Sequence, residues 1–439
     1  MNKTIKLAVA GAVLSAASMA NAGIIIPAGE WTMDINGNVN NFAIIENSDN
    51  TTAIAGGIAT TAGSTGTPDR ASQNTGLLPA WLGFTGTTRQ NDLDVSFTIS
   101  FQPGTSTTNT LAGGGATENR QAFITFGDKS WGSVKIGKDL GIYGSDAILS
   151  DMTLLGVGGT GLLGAIGNGT TTTLGHIGTG YMYADWKAQI AYTTPNMNGF
   201  QATVGIIQPW NTLNLGGDQL TTAAIVDANA PTAVGASAGL AAIANGASAG
   251  TAGAHESFGF EAKASYSMDM GKIWVGYITQ DVDSLQTNGN NATLGNRDND
   301  AYSAEIGATM NFGNASLTGY YYTGEGAGTT GFLMDGFDSA GNSRDSDGAF
   351  VQATYVIPTG TKLGASYGRS DLDATATDAA NAAINLVSRN EMWTIGAYHP
   401  LTKHLNLVAE YNDVTTESMN ATAVDNESDS ISLGAILFF

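Results

Sequence analysis

Three observations predict an all-β chain, folded as a membrane-spanning antiparallel barrel. Apolar and polar residues alternate with period two in many short segments, and short turns alternate with long polar connections. In addition, no apolar run reaches the roughly 20 residues that a spanning helix needs.

The N-terminus comes first. Lys3 and Lys6 precede an uncharged run from Leu7 to Ala20, and Ala20-Asn21-Ala22 offers small residues where a signal peptidase reads them. This three-part layout is that of a secretory signal peptide, so residues 1–22 are expected to be removed and residues 23–439 to form the barrel. The chain has no Cys, which excludes disulfides and thiolate chemistry.

The first strand follows, with Trp31, Met33 and Ile35 alternating with Thr32, Asp34 and Asn36. The clearest runs from Leu93 to Gln102: Leu93, Val95, Phe97, Ile99 and Phe101 share one face, and Asp94, Ser96, Thr98, Ser100 and Gln102 the other. Trp186, Ala188, Ile190 and Tyr192 alternate with Lys187, Gln189 and Ala191, and Phe200, Ala202, Val204 and Ile206 come next. Phe258 to Tyr266 sets Glu261, Lys263 and Ser265 opposite its apolar face, and Tyr302 to Ala308 does the same with Ser303 and Glu305. Leu405, Leu407, Ala409 and Tyr411 face away from Asn406 and Glu410, and Ile431, Leu433, Ala435, Leu437 and Phe439 close the chain. In a membrane barrel the apolar face meets lipid and the polar face lines a wet lumen.

The connections favour a barrel over a sandwich. Short ones span 194–199, 268–271, 311–314, 357–360 and 399–403, each with Pro, Gly or Asn to fit a tight turn. Long polar ones include 208–255, 280–299, 323–347 and 369–389. Strand centres fall near residues 35, 82, 97, 124, 135, 189, 204, 262, 276, 306, 318, 352, 365, 395, 408 and 434, about 16 strands, an even number that puts both termini on the short-turn side. An interfacial girdle accounts for aromatics near strand ends: Trp31, Trp131, Trp186, Tyr192, Phe258, Tyr266, Tyr302, Tyr367, Tyr398, Tyr411 and Phe439. Closure satisfies every backbone group in lipid and leaves no open edge.

Composition narrows the partners. Lys and Arg number 17 against 38 Asp and Glu, which argues against nucleic acid. Charged residues make up only 13%, low for a soluble acidic protein.

Three stretches resemble the general porins of Gram-negative outer membranes. They are Asn119-Arg-Gln-Ala-Phe-Ile-Thr-Phe-Gly127 followed by Gly132-Ser-Val-Lys-Ile-Gly-Lys138, then Ala191-Tyr-Thr-Thr-Pro-Asn-Met-Asn-Gly-Phe200, and the terminal strand ending in Phe439. The resemblance implies an outer-membrane homotrimer of 16-stranded barrels, surrounded by lipid and lipopolysaccharide, with Phe439 read by the outer-membrane assembly machinery. It also implies that a long loop, here about 139–178, folds into the lumen as a constriction. Asp139, Asp146 and Asp151 would be its acids, and Arg120, Lys135 and Lys138 the facing bases. Lys135 has lumen parity, because Val134 and Ile136 take the lipid face. One departure stands out: the matching stretch 79–86 carries Trp81 where the family often brings a further Arg into the pore.

Other motifs read as loop chemistry. Gly156-Val-Gly-Gly-Thr-Gly161 matches a dinucleotide fingerprint, but no acid arrives in range. Residues 235–239 and 246–250 match G-x-S-x-G inside an Ala/Gly/Ser-rich tract, where chance matches are common. His176, His255, His399 and His404 lack zinc-site spacing, so neither metal nor cofactor is expected. Acid clusters at 281/283, 298/300, 345/347, 371/373 and 425/427/429 read as solvated loop charge, or as a negative vestibule or divalent-ion bridge to lipopolysaccharide.

The sequence therefore predicts a non-enzymatic porin passing small hydrophilic solutes and ions, mildly cation-preferring because of its acidity. The alternatives are a substrate-selective channel, for which Tyr320 and Tyr322 are lumen-facing aromatic candidates, and a barrel whose loops adhere or bind ions.

Overall fold

The computed structural model describes residues 23–61, 68–105, 117–160, 172–210, 257–282, 299–338, 341–381 and 384–439. Residues 1–22, read as a signal peptide, lie outside them, as do the G-x-S-x-G copies at 235–250 and most of the 208–255 connection.

The strands are β1 (Ile24–Ala28), β2 (Trp31–Ser48), β3 (Asp69–Asn74), β4 (Trp81–Gln90), β5 (Leu93–Pro103), β6 (Thr117–Asp128), β7 (Gly132–Leu140), β8 (Trp186–Thr193), β9 (Phe200–Ile207) and β10 (Gly259–Met268). They continue as β11 (Gly271–Val282), β12 (Asn299–Phe312), β13 (Ala315–Glu325), β14 (Asp345–Val356), β15 (Lys362–Leu372), β16 (Val387–Pro400), β17 (Leu405–Ser418) and β18 (Asn426–Phe438). Two short helices sit in loops, α1 (Ser145–Ser150) and α2 (Ala376–Ala380). Each of β4 to β18 pairs antiparallel with the next, and β2 closes the ring between β18 and β4, giving a 16-strand barrel. Every strand centre expected from the periodicity falls within one of these sixteen.

The hairpin turns show why the short connections work. Asn91 and Asp92, which join β4 to β5, both have left-handed φ, 48° and 64°. A two-residue turn with both φ positive matches the twist of the strands it joins, and Asn and Asp tolerate that region. Five further turns of this end, from β8–β9 to β16–β17, fall at the Gly-, Pro- and Asn-bearing segments expected for them, and one more, joining β6 to β7 at 129–131, was not among those expected.

β1 and β3 were not legible in the alternation. β2 runs past its neighbour: β18 stops opposite Asn38, which leaves the first residues of β2 without a partner on that edge. β1 turns back to cover it, pairing Ile24 with Ile35 and Ala28 with Trp31. An uncovered edge would template association, so the cap has a physical purpose. On the other side, β3 pairs with the far half of β2 and β4 with the near half. Between them residues 75–80 leave the wall and bend inward, forming a strap. Side-chain amides replace the lost ladder there: Asn38 donates to Pro79 O at 2.9 Å, Asn40 to Leu78 O at 2.8 Å, and Gly76 N donates to Asn40 Oδ1 at 2.9 Å.

The two faces of the wall differ as expected. On β2, Val39 and Ile45 are 57% and 60% exposed, while Asn38 and Asn40 are buried. Yet the inward face is less polar than the alternation suggests. Trp274, Ile278, Tyr320, Tyr322 and Phe350 all point inward and are buried against Tyr143, Ile177 and Tyr181 of the β7–β8 loop. Phe42, Ile44 and Val408 form a second such core with Met152 and Val157 of the same loop. Loops packed inside the barrel thus give it dry cores of its own, and each large side chain so buried contributes roughly 1.5–3 kcal/mol. Two of the girdle residues also belong inside. Tyr398 is buried and donates to Glu410 Oε1 at 2.7 Å, and Trp186 lies half-buried over Arg120. A Tyr or Trp near a strand end satisfies a girdle or a lumen core equally well, so position alone did not separate them.

Candidate functional site

The loop between β7 and β8 runs through the barrel interior and is held there by inward-facing wall side chains. Glu261 of β10 accepts from Ile142 N at 2.6 Å, and Glu305 of β12 from Gly144 N at 3.1 Å. Glu410 of β17 accepts from Val157 N at 2.8 Å and Gly158 N at 3.0 Å, and Gln352 of β14 takes Met152 N at 2.6 Å. The loop is short of regular structure, so its amide groups need outside acceptors, and wall carboxylates supply charge-assisted ones. Glycines allow the close approach: a Cβ on Gly156 would stand 1.9 Å from Glu410 Oε1, and one on Gly76 would stand 2.0 Å from Gly156 O. Leu77 N donates to Gly156 O at 2.9 Å, so strap and loop are joined directly.

The six candidate residues divide. Lys135 and Asp139 lie on the inward face of β7 and form an ion pair, with Gln121 Nε2 donating to Asp139 Oδ1 at 2.8 Å. Asp146 on α1 pairs with Lys263 at 3.1 Å and also with Lys272. Burial pushes its carboxyl up, but the two ammonium groups outweigh that and hold it below the usual carboxylate range. Asp151 is buried away from both: it takes Tyr181 Oη at 2.7 Å, Thr153 N at 2.8 Å and the His176 ring at 3.3 Å. Burial opposes its ionisation, yet the His176 ring and these hydrogen bonds pull the carboxyl down to about 2. Asp151 therefore ties the loop to itself.

Arg120 and Lys138 sit on β6 and β7. Lys138 shares the outward parity of Ile136 and donates to Asn119 O at 2.7 Å, and among the described residues it forms no ion pair with Asp139, Asp146 or Asp151. Arg120 falls at an irregularity in the β5–β6 register between Ser100 and Phe101. A bulge re-aims the side chain it carries, and Arg120 is buried between two indoles, its guanidinium carbon 4.8 Å from the Trp81 ring centroid and 4.4 Å from that of Trp186. The Trp81 departure noted in the sequence is thus one half of a cation–π sandwich.

The bases that meet the loop are Lys187, Lys263 and Lys272. Lys187 is buried against Glu261, and Lys263 also donates to Ser145 Oγ at 2.7 Å. No motif marks them. Their only sequence signal is a charge at inward parity in an apolar-alternating strand, which does not say what stands across the lumen. Tyr320 and Tyr322 do face inward, but buried: Tyr320 Oη donates to Glu305 Oε2 at 2.8 Å, and Tyr322 packs in the same core.

Members of the acid clusters pair across strands at the long-loop end, Asp281 with Asp300 and Asp347 with Asp371, and Asp429 pairs with Asp413, which the clusters did not include; Asp283 and Asp298 lie outside the described residues. Their parity is outward, opposite to buried neighbours such as Ser346, Ser370 and Ser430. Arg389 relieves one pair by donating to Asp371 at 2.6 Å. Among the described residues no group of three or more His, Cys, Asp or Glu could hold a metal ion. Gly156 to Gly159 belong to the loop backbone on Glu410, not to a strand–helix turn.

The family model described as Gram-negative porin matches residues 7–418. No curated protein matches the sequence. Among solved structures, the chain is similar to the outer membrane channel DcaP of Acinetobacter baumannii, at 14% identity and a TM-score of 0.64, covering 95% of this chain and 100% of that one. It is similar to OmpF of Salmonella typhi in complex with daunomycin, at 15% identity and a TM-score of 0.55, covering 95% and 100%. It is also similar to in-vitro folded OmpT of Vibrio cholerae in its trimer form, at 13% identity and a TM-score of 0.50, covering 93% and 99%. At these identities the structural likeness is one of fold.

Proposed function

The chain belongs to the Gram-negative porin family, and on that premise we propose that this outer-membrane channel passes small hydrophilic solutes and ions by diffusion through a lumen narrowed by the β7–β8 loop. The observation that carries the reading is the clamp on Asp146, which draws a loop acid against two wall lysines across the barrel interior. Charges set in a narrow, low-dielectric passage focus their field on a passing ion. Lys135 with Asp139 adds a second charged station on the wall beside it. We assign Asp139, Asp146, Lys135, Lys263 and Lys272 to the constriction, Asp151 to the loop's internal tie, and Lys138 to the outer surface.

The preference follows from net charge. The formal total is −21, and the lysines facing the loop are already paired with carboxylates. Unneutralised acids at the long-loop rim then bias entering ions toward cations. A homotrimer, as in the trimer form of Vibrio cholerae OmpT, would give each barrel its own pore.

The test is bilayer conductance of refolded residues 23–439, with reversal potential under a KCl gradient. Large steps in groups of three and a cation-side potential are expected. Asp146→Asn leaves Lys263 and Lys272 without their common neutraliser, so the potential should move toward anions. An unchanged reversal potential in that variant removes Asp146 from the constriction, and no conductance from a demonstrably folded barrel removes the channel reading.

A further inference from the structure

Beneath the loop, between strap and wall, lies a cavity of about 110 Å3. Leu77, Leu140, Ile148, Leu154 and Ile177 supply an apolar lining, and Arg120 is its cationic group. Arg120 is 5% exposed. Its Nε and Nη1 are buried with no hydrogen-bond partner among the described residues. The indoles of Trp81 and Trp186 cover the guanidinium, 4.8 and 4.4 Å from its carbon. Leu78, Leu149, Thr172 and Trp186 also line the cavity and are half-buried.

Asp139 and Tyr183 act on the guanidinium as neighbouring charge and dipole, but its Nε and Nη1 donors stay unmet. A guanidinium carries five donors and cannot shed its proton, and a buried charge needs an acceptor as well as an attractive ring. The indoles meet the charge from the sides but accept none of its in-plane N–H bonds. Structural arginines of this same barrel are treated differently: Arg344, also 5% exposed, donates to Asp378, Asp335 O and Phe337 O.

We propose that this cavity is a binding site for a small apolar monocarboxylate, its carboxylate taking the unmet donors of Arg120 edge-on and its hydrocarbon body lying among the leucines. The chemistry sets both halves. A planar acceptor anion fits the guanidinium plane, and a lining that is mostly leucine and isoleucine, with Gln102, Thr172, Thr173 and Tyr183 as its few polar members, rewards an apolar body over a sugar. At about 110 Å3 the cavity is smaller than the engineered protein cavity of about 150 Å3 that takes benzene, so it limits the body to a single ring at most. The site rests on the channel reading only for how the ligand arrives.

Benzoate is the probe, titrated by calorimetry into the refolded barrel in detergent, with benzamide and acetate as comparisons. Saturable benzoate binding is expected, at least about tenfold tighter than benzamide, which lacks the charge, and than acetate, which lacks the apolar body. Arg120→Gln should erase the preference for benzoate over benzamide. If that variant does not refold, the three-ligand ranking on the unaltered protein decides alone. Equal affinities for all three, or no saturable benzoate binding, overturn the site. Bilayer conductance of the same preparation separates the two readings: conductance without benzoate binding removes the site and leaves the channel, whereas benzoate binding without conductance removes the channel and leaves the site.

Discussion

At the scale of single residues, the acids of the inward loop do different work despite similar spacing in sequence. Asp146 holds the loop to the wall, and Asp151 holds it to itself. The second role makes a pH prediction. The folded Asp151 carboxyl is depressed to about 2, below the ordinary aspartate value of 3.8. A depressed carboxyl contributes stability that is fully present above its unfolded value and is lost as pH falls through its folded one. The tie should therefore be intact at pH 5, weaken below about 4 and fail near 2. Hydrogen exchange of amides 151–157, read across that range in the refolded barrel, checks this. Protection that persists unchanged down to pH 2 would remove the Asp151 carboxylate from the tie. Asp151→Asn should remove protection at every pH while leaving reversal potential nearly unchanged, opposite to Asp146→Asn.

At the scale of elements, the strap and the loop are one unit built on two glycines. A methyl on Gly156 would collide with the Glu410 carboxylate, which is itself fixed by Tyr398 Oη at 2.7 Å. The collision has no free direction, because the carboxylate also binds the loop's own amides. Overpacking of this kind costs about 1–3 kcal/mol. Gly156→Ala should release residues 152–160 from the wall and raise single-channel conductance, with the barrel still folded. Gly319 on β13 has nothing within 4 Å of a would-be Cβ, so Gly319→Ala serves as the matched control. Its effect is expected within about 0.5 kcal/mol. Thermal melting and conductance of both variants distinguish a loop effect from a general one.

At the scale of the whole molecule, charge is sorted by face. Most interior lysines are paired with carboxylates of the loop or the wall, while acid pairs such as Asp347 with Asp371 and Asp413 with Asp429 lie on outward faces at the long-loop end. Selectivity that originates in this exposed excess should fade with salt, since the screening length falls from about 10 Å at 0.1 M to about 3 Å at 1 M. Reversal potential at a fixed concentration ratio, measured at several mean KCl concentrations, should shrink toward that of free diffusion. A potential independent of salt would place the selectivity in the paired, desolvated interior.

The sequence by itself determined the positions of the sixteen barrel strands, though not of β1 and β3, together with the antiparallel order and the alternation of short and long connections. These depend on neighbouring residues and on period-two burial against lipid, which every strand reports locally. It also gave the inward parity of Lys135 and the positions of the loop acids. What only the tertiary structure decided is which groups meet. Lys263 and Lys272 reach Asp146 because closure brings β10 and β11 opposite a loop more than a hundred residues earlier. The strap at 75–80 and the Arg120 sandwich depend on β2 outrunning its neighbours and on a register irregularity in β5–β6. Neither leaves a periodic trace. Local pattern fixes where a strand is and which way it faces; contacts across a lumen depend on how the ring closes, which no single segment encodes.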